Sequence, residues 1–154
     1  ALLTRTAPRD IYDIHNMVRY GLFDEEDQQM LRKCTVYYSA IGAENPPEQF
    51  ALDNIGRLSA QRIKTDLNPV LRKGEHFELE TVQKEVKDHL SAILIPTADE
   101  KLFWEKFREG IYLPELIFGK GRELANIRKH PMALWKCQVK ENSMAVGISS
   151  ISKP

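Results

Sequence analysis

Apolar residues recur along this chain mostly at intervals of three and four, the period of a helix face rather than of a strand. From Arg9 to Val18 the large apolar positions are Ile11, Ile14, Met17 and Val18, which predicts one buried helix face. Pro8 suits the first turn of that helix, where its missing N–H costs nothing, and Thr6 is placed to cap it. Gly21 stands where a C-terminal glycine belongs. Asp24 can cap a second helix, with Glu25, Glu26 and Asp27 in its acidic first turn. That helix runs to about Ile41 through Met30, Leu31, Cys34, Tyr37 and Tyr38, and stops at Gly42. Asn45-Pro46-Pro47 breaks the pattern.

Phe50, Leu52, Ile55 and Leu58 follow at roughly helical spacing, with Gly56 as a weak point. A further helical segment from Ser59 to Asp66, with Ile63 and Leu67 on its apolar side, ends at Asn68-Pro69. Val70 to Glu78 reads as a loop. Leu79 to Leu94 is amphipathic, with Leu79, Val82, Val86, Leu90 and Ile93 on one stripe and Glu80, Lys84, Lys87 and Asp88 opposite. Thr97-Ala98-Asp99-Glu100 matches a capping box, and Leu102, Phe103, Trp104 and Phe107 supply the face of the helix that it starts. Gly110 ends that helix. Short helices are expected over Leu113 to Phe118 and Glu123 to Ile127, joined by Gly119-Lys120-Gly121, and Pro131 can begin a last turn with Met132, Leu134 and Trp135. The expected fold is therefore all-α, an irregular bundle of several helices over residues 1–140. Residues 141–154, with four serines and no core pattern, read as a weakly ordered tail.

Composition adds bounds rather than a function. The chain has 154 residues, enough for a proper core, and 22 Lys+Arg balance 22 Asp+Glu. No global charge argues for nucleic acid or membrane. The local distribution is less even. Residues 21–50 hold six acids against Arg32 and Lys33, a net of −4, and residues 101–140 hold nine Lys or Arg against four Glu, a net of +5. Such a basic stretch can face a polyanion, although a modest excess also suits a solvated face. Cys34 and Cys137 lack metal-ligand spacing and read as buried free thiols. His76, His89 and His130 likewise show no ligand spacing. No segment is long enough to span a membrane and none reads as a signal peptide, so the expected location is cytoplasmic.

The chemistry concentrates near the first residues. Asp10 and Asp13 lie one turn apart on the first helix, with Arg9 and Arg5 just before them. Two acids and two arginines thus meet where a loop enters a helix, a place that suits metal or phosphate chemistry. By spacing alone the plain reading is structural, because acids in a first turn complement the helix dipole and Arg–Asp pairs there are common.

The stretch Ala1-Leu2-Leu3-Thr4-Arg5 through Arg9-Asp10-Ile11-Tyr12-Asp13-Ile14 resembles a motif of the AbiEii/AbiGii-type nucleotidyltransferase toxins, close to Ala-Leu-x-x-Arg-x-x-x-Arg-Asp-x-x-Asp-Leu. Tyr112-Leu113-Pro114-Glu115-Leu116-Ile117-Phe118-Gly119 and His130-Pro131-Met132-Ala133-Leu134-Trp135-Lys136 resemble the closing segment of the same proteins. The resemblance implies a helical C-terminal half, packed in the same chain against an N-terminal domain of the polymerase-β-like nucleotidyltransferase type. It implies transfer of a nucleotidyl group from a nucleoside triphosphate, with Mg2+, to an acceptor such as the RNA of a tRNA end. A cognate antitoxin is the implied protein partner. Asp10 then falls on the catalytic position, Asp13 supports it or orients the helix, and Arg5 and Arg9 contact phosphate or pair with the two acids. No Gly-Ser with a spaced Asp-x-Asp, the metal and triphosphate motif of such enzymes, occurs in the sequence. The expectation is a C-terminal portion of a longer protein, inactive by itself and holding neither metal nor nucleotide tightly.

Two other readings stay open. Arg9 followed by His15 resembles the active-site motif of HEPN-type ribonucleases, in which His15 would move the proton. Alternatively the chain is a non-enzymatic helical interaction module, with Phe103, Trp104, Phe107, Tyr112 and Trp135 as aromatic surface, although a core explains most of them equally well. Tyr37-Tyr38 can stack a base or simply pack.

Overall fold

A computed structural model describes residue 3, residues 7–71, residue 74, and residues 77–121 and 124–140. Among these the regular structure is entirely helical, which bears out the all-α expectation. Eight α-helical segments follow one another: α1 (Pro8–Arg19), α2 (Glu25–Gly42), α3 (Ala60–Arg62), α4 (Leu79–Ile93), α5 (Ala98–Arg108), α6 (Glu115–Phe118), α7 (Leu124–Ile127) and α8 (131–140). The chain divides into two compact units. Unit 1 comprises residues Ala1–Gln29 and Phe50–Ile95, and unit 2 comprises Met30–Gln49 and Pro96–Pro154. The expected tail at 141–154 and the cap at Thr6 lie outside the described residues.

Helix ends follow the local chemistry of the sequence. Past α1, Gly21 takes a positive φ of 58°; its N–H bonds the Val18 carbonyl and the Leu22 N–H bonds that of Met17. These two hydrogen bonds close a Schellman end that a side chain with Cβ would strain. The same arrangement ends α5 at Gly110, φ 82°, with Ile111 donating to Lys106. At the start of α2, Asp24 accepts from the Asp27 N–H at 2.9 Å and Asp27 accepts from the Asp24 N–H at 3.4 Å, a reciprocal box built from two aspartates.

Unit 1 is held by an aliphatic core. Ile11 of α1 is completely buried against Ile55, Leu58, Ile63, Leu67 and the Val82, Val86 and Leu90 stripe of α4. Each fully buried aliphatic side chain stabilises by roughly 1.5–3 kcal/mol. The predicted apolar face of α1 is narrower than expected: Ile14 and Val18 are half-buried and Met17 is exposed. Gln83 of α4 donates its amide to the carbonyls of Ile55 at 2.9 Å and Leu58 at 3.2 Å, pinning the 3-10 turn Leu52–Arg57 to the helix. The helix expected over Ser59 to Asp66 begins as α3, with Ser59 capping Arg62, and then widens into a π turn over Ile63–Leu67. There the Asn68 N–H reaches back to Ile63, and Pro69, lacking an N–H, ends the ladder.

Unit 2 is held by an aromatic core with polar fixings. Phe103, Trp104 and Phe107 of α5 are buried, as is Tyr37 of α2. The Trp104 Nε1–H donates to the Val36 carbonyl at 2.9 Å, so its one polar atom is satisfied. Tyr37 stacks edge-on with Phe118 and His130, and its hydroxyl meets that of Tyr112 at 2.6 Å. Tyr112 donates onward to the Ile127 carbonyl, which leaves Tyr37 as the donor between the two hydroxyls. Glu100 is 2 % exposed and has two duties. Its carboxylate accepts the Thr97 N–H at 2.8 Å, closing the predicted capping box, and both oxygens lie 3.1 Å from Arg32 Nε of α2. A buried carboxylate persists only with such partners.

Candidate functional site

The start of α1 carries the residues singled out by the sequence. Ala7 is the N-cap and offers no side-chain acceptor, Pro8 opens the helix, and Arg9 and Asp10 take the second and third helical positions. Arg9 and Asp13 are exposed, while Asp10 is half-buried and engaged rather than free. The structure therefore gathers Arg9, Asp10 and Asp13 on the first turn and a half of one helix. Arg5 lies outside the described residues. Asp10 complements the positive end of the helix dipole, and its own N–H bonds the Ala7 carbonyl at 3.1 Å.

His15 is not brought to Arg9. Six positions along a helix turn the side chain by about 240° from the starting direction, so the two point to different sides. His15 faces α4 instead, with Nδ1 2.8 Å from Glu85 Oε2 and its ring edge-on to Phe77. The 2.8 Å contact is not a directed hydrogen bond, since Nδ1 is buried without an aligned partner. The Glu85 contact spans 70 residues of sequence and carries no local signal, so sequence reading missed it.

Among the described residues no group of three or more His, Cys, Asp or Glu is disposed to hold a metal ion. Asp10 and Asp13 are two carboxylates, a number that holds magnesium only together with waters and substrate phosphate, and no step through the ion follows from this chain. Both thiols are free, Cys137 buried and Cys34 half-buried, and burial pushes each up from its ordinary range, away from nucleophilic use. No helix among the described residues is long and apolar enough to cross a membrane.

The basic stretch 101–140 resolves into particular environments. Lys106 pairs with Glu109 at 2.7 Å and Arg128 lies 3.9 Å from Glu115. Lys136 and Lys140 instead point to main-chain carbonyls of unit 2. Of the aromatic residues proposed as surface, Phe103, Trp104 and Phe107 are core, Tyr112 is half-buried and Trp135 is 57 % exposed. Tyr37 packs in the core, while Tyr38 stays exposed beside His130. His130 caps α8, its Nδ1 accepting the Ala133 N–H at 3.4 Å, and His89 is half-buried; His76 lies outside the described residues.

Comparison with protein-family models, with curated proteins and with solved structures finds no match for this chain.

Proposed function

We propose that this chain is the helical half of a cytoplasmic nucleotidyltransferase toxin of the AbiEii/AbiGii kind. The enzyme moves a nucleotidyl group from a nucleoside triphosphate to an acceptor, RNA such as a tRNA end, and a cognate antitoxin restrains it. The observation that carries the reading is the motif from Ala1 to Ile14, whose Arg9, Asp10 and Asp13 sit together at the start of α1. Asp10 is the carboxylate of the reacting centre and Asp13 its support. Arg5 and Arg9 neutralise phosphate through paired guanidinium bonds. Burial of Ile11 against α4 fixes α1, and with it the direction of Asp10. Magnesium supplies Lewis-acid neutralisation of the triphosphate in such reactions. The ion and the triphosphate fall to a Gly-Ser/Asp-x-Asp half of the same enzyme.

The test is transfer of labelled nucleotide to total bacterial RNA by the complete protein carrying this segment, with and without Asp10→Ala. Loss of transfer with unchanged circular dichroism is the expected result. RNA cleavage in place of transfer, abolished by His15→Ala, would overturn it in favour of a ribonuclease. A second reading, a helical interaction module, draws on Met132 and Trp135, which stand exposed one turn apart on α8. In that case the complete protein neither transfers nor cleaves.

A further inference from the structure

Three cations of unit 2, Arg108, Lys136 and Lys140, lie near one another where α8 meets the end of α5. Lys136 and Lys140 stand one turn apart on α8 and share a face. The Lys140 ammonium lies 3.5 Å from the Phe107 carbonyl and 5.7 Å from the centre of the Phe107 ring, beside Arg108, the last residue of α5. Lys136 donates to the carbonyl of Ala43, just past the end of α2. Among the described residues no carboxylate forms an ion pair with any of the three. Glu109, next to Arg108 in sequence, is taken by Lys106. The crowding shows in Lys140, held below the usual lysine range by burial first, and then by Lys136 and Arg108 against the opposing influence of Cys137.

Helix ends explain part of this. The C-termini of α2 and α5 carry partial negative charge, and the two lysines donate to carbonyls there. Arg108 is left over. Its Nε is sealed from solvent and has no hydrogen-bond partner among the described residues. A buried charged donor without an acceptor costs more than a neutral one, and two further positive charges beside it add to that cost. One multivalent anion would relieve all of these at once.

We propose that Arg108, Lys136 and Lys140 form an oxyanion site that takes a phosphate group. The guanidinium supplies directed, paired N–H donors, and the ammonium groups supply point charges around them. A free phosphate compound and the backbone of an RNA offer the same chemistry. The site uses no residue of the α1 motif, so it stands or falls apart from the transfer reading.

The experiment follows the 15Nε signal of Arg108 and calorimetric binding as inorganic phosphate, pyrophosphate or a short single-stranded RNA is added at matched ionic strength. The expected result is a saturable shift of the Arg108 signal and binding weakened about tenfold or more by Arg108→Gln, the order of one charge-assisted hydrogen bond. Lys140→Gln weakens it less, and Lys101→Gln, an exposed lysine elsewhere on α5, leaves it unchanged. If RNA is the source, Arg108→Gln also lowers the slope of log affinity against log salt by about one. Response to phosphate and pyrophosphate but not to RNA assigns the site to small phosphate compounds. An unmoved Arg108 signal, or binding indifferent to Arg108→Gln and Lys140→Gln in folded protein, would overturn the proposal.

Discussion

The two units reach stability by different means. Unit 1 packs Ile, Leu and Val around α1 and α4, with Gln83 as its main polar tie. Unit 2 packs rings, and beside Phe103 and Phe107 its centre holds large side chains whose polar atoms each have an assigned partner: Trp104 on Val36, Tyr37 on Tyr112, Tyr112 on Ile127, Glu100 on Thr97 and Arg32. Aliphatic packing is non-directional and tolerates volume-conserving change. A core with hydroxyls, an indole and a carboxylate is specified by geometry, and losing one partner strands the other. The contrast teaches that similar burial gives unequal tolerance to substitution.

Mutations can break or sharpen that contrast. Glu100→Ala removes one arm of the α5 capping box and the partner of Arg32 together, and is expected to cost about 3–5 kcal/mol, read as a fall in the urea midpoint. Ile11→Ala in unit 1 opens a cavity and costs about 2–4 kcal/mol, whereas Ile11→Val costs only about 1 kcal/mol. Equal losses for the two Ile11 substitutions would contradict the tolerance argued for the aliphatic unit. Tyr112→Phe keeps the ring and strands the Tyr37 hydroxyl and the Ile127 carbonyl, for about 1–2 kcal/mol.

Titration probes the same hydroxyls. Burial is the main cause that raises both Tyr37 and Tyr112 above the ordinary tyrosine range, and their mutual bond raises Tyr112 further while it lowers Tyr37. Groups raised in the folded state bind protons that the unfolded chain releases first. Their contribution is therefore fully present below about pH 10 and is lost as pH rises beyond it. Melts between pH 8 and 11 should show the fall in wild type and a smaller one in Tyr112→Phe.

The smallest effect belongs to the surface of unit 1. Lys87 bonds Asp53 at 2.7 Å and holds its carboxyl below the usual range, first through that bond and then through its charge. The contribution is present above about pH 4 and fades as acid reaches the folded pKa. Lys87→Met should lower the melting temperature barely at all in salt, and the difference should vanish on acidification.

The legible parts of this fold are those written in neighbouring residues. Thr97 and Glu100, Asp24 and Asp27, Gly21, Gly110 and the proline breaks all announced helix ends, because caps depend on positions three or four apart. The α4 stripe was equally plain. The distortion after α3 was not, since Ile63 and Leu67 fit an ordinary helix and only the proline at 69 and the packing of the turn decide otherwise. Pairings across long stretches, Arg32 with Glu100 and His15 with Glu85, carry no periodic trace. At the candidate site, the joint placement of Arg9, Asp10 and Asp13 on one helix start followed from spacing. Arg108 with Lys136 and Lys140 did not, because α5 and α8 meet only in the folded unit.

Glu100 has a consequence for inheritance. One carboxylate serves the main-chain N–H at the start of its own helix and the guanidinium of another, so position 100 meets two demands at the same time. Aspartate would be too short to serve both, and glutamine would leave the arginine's charge unanswered. The Thr97 N–H belongs to the main chain and persists through most changes at 97, whereas Arg32 and Glu100 meet side chain to side chain. Among descendants of this sequence, positions 32 and 100 should therefore covary.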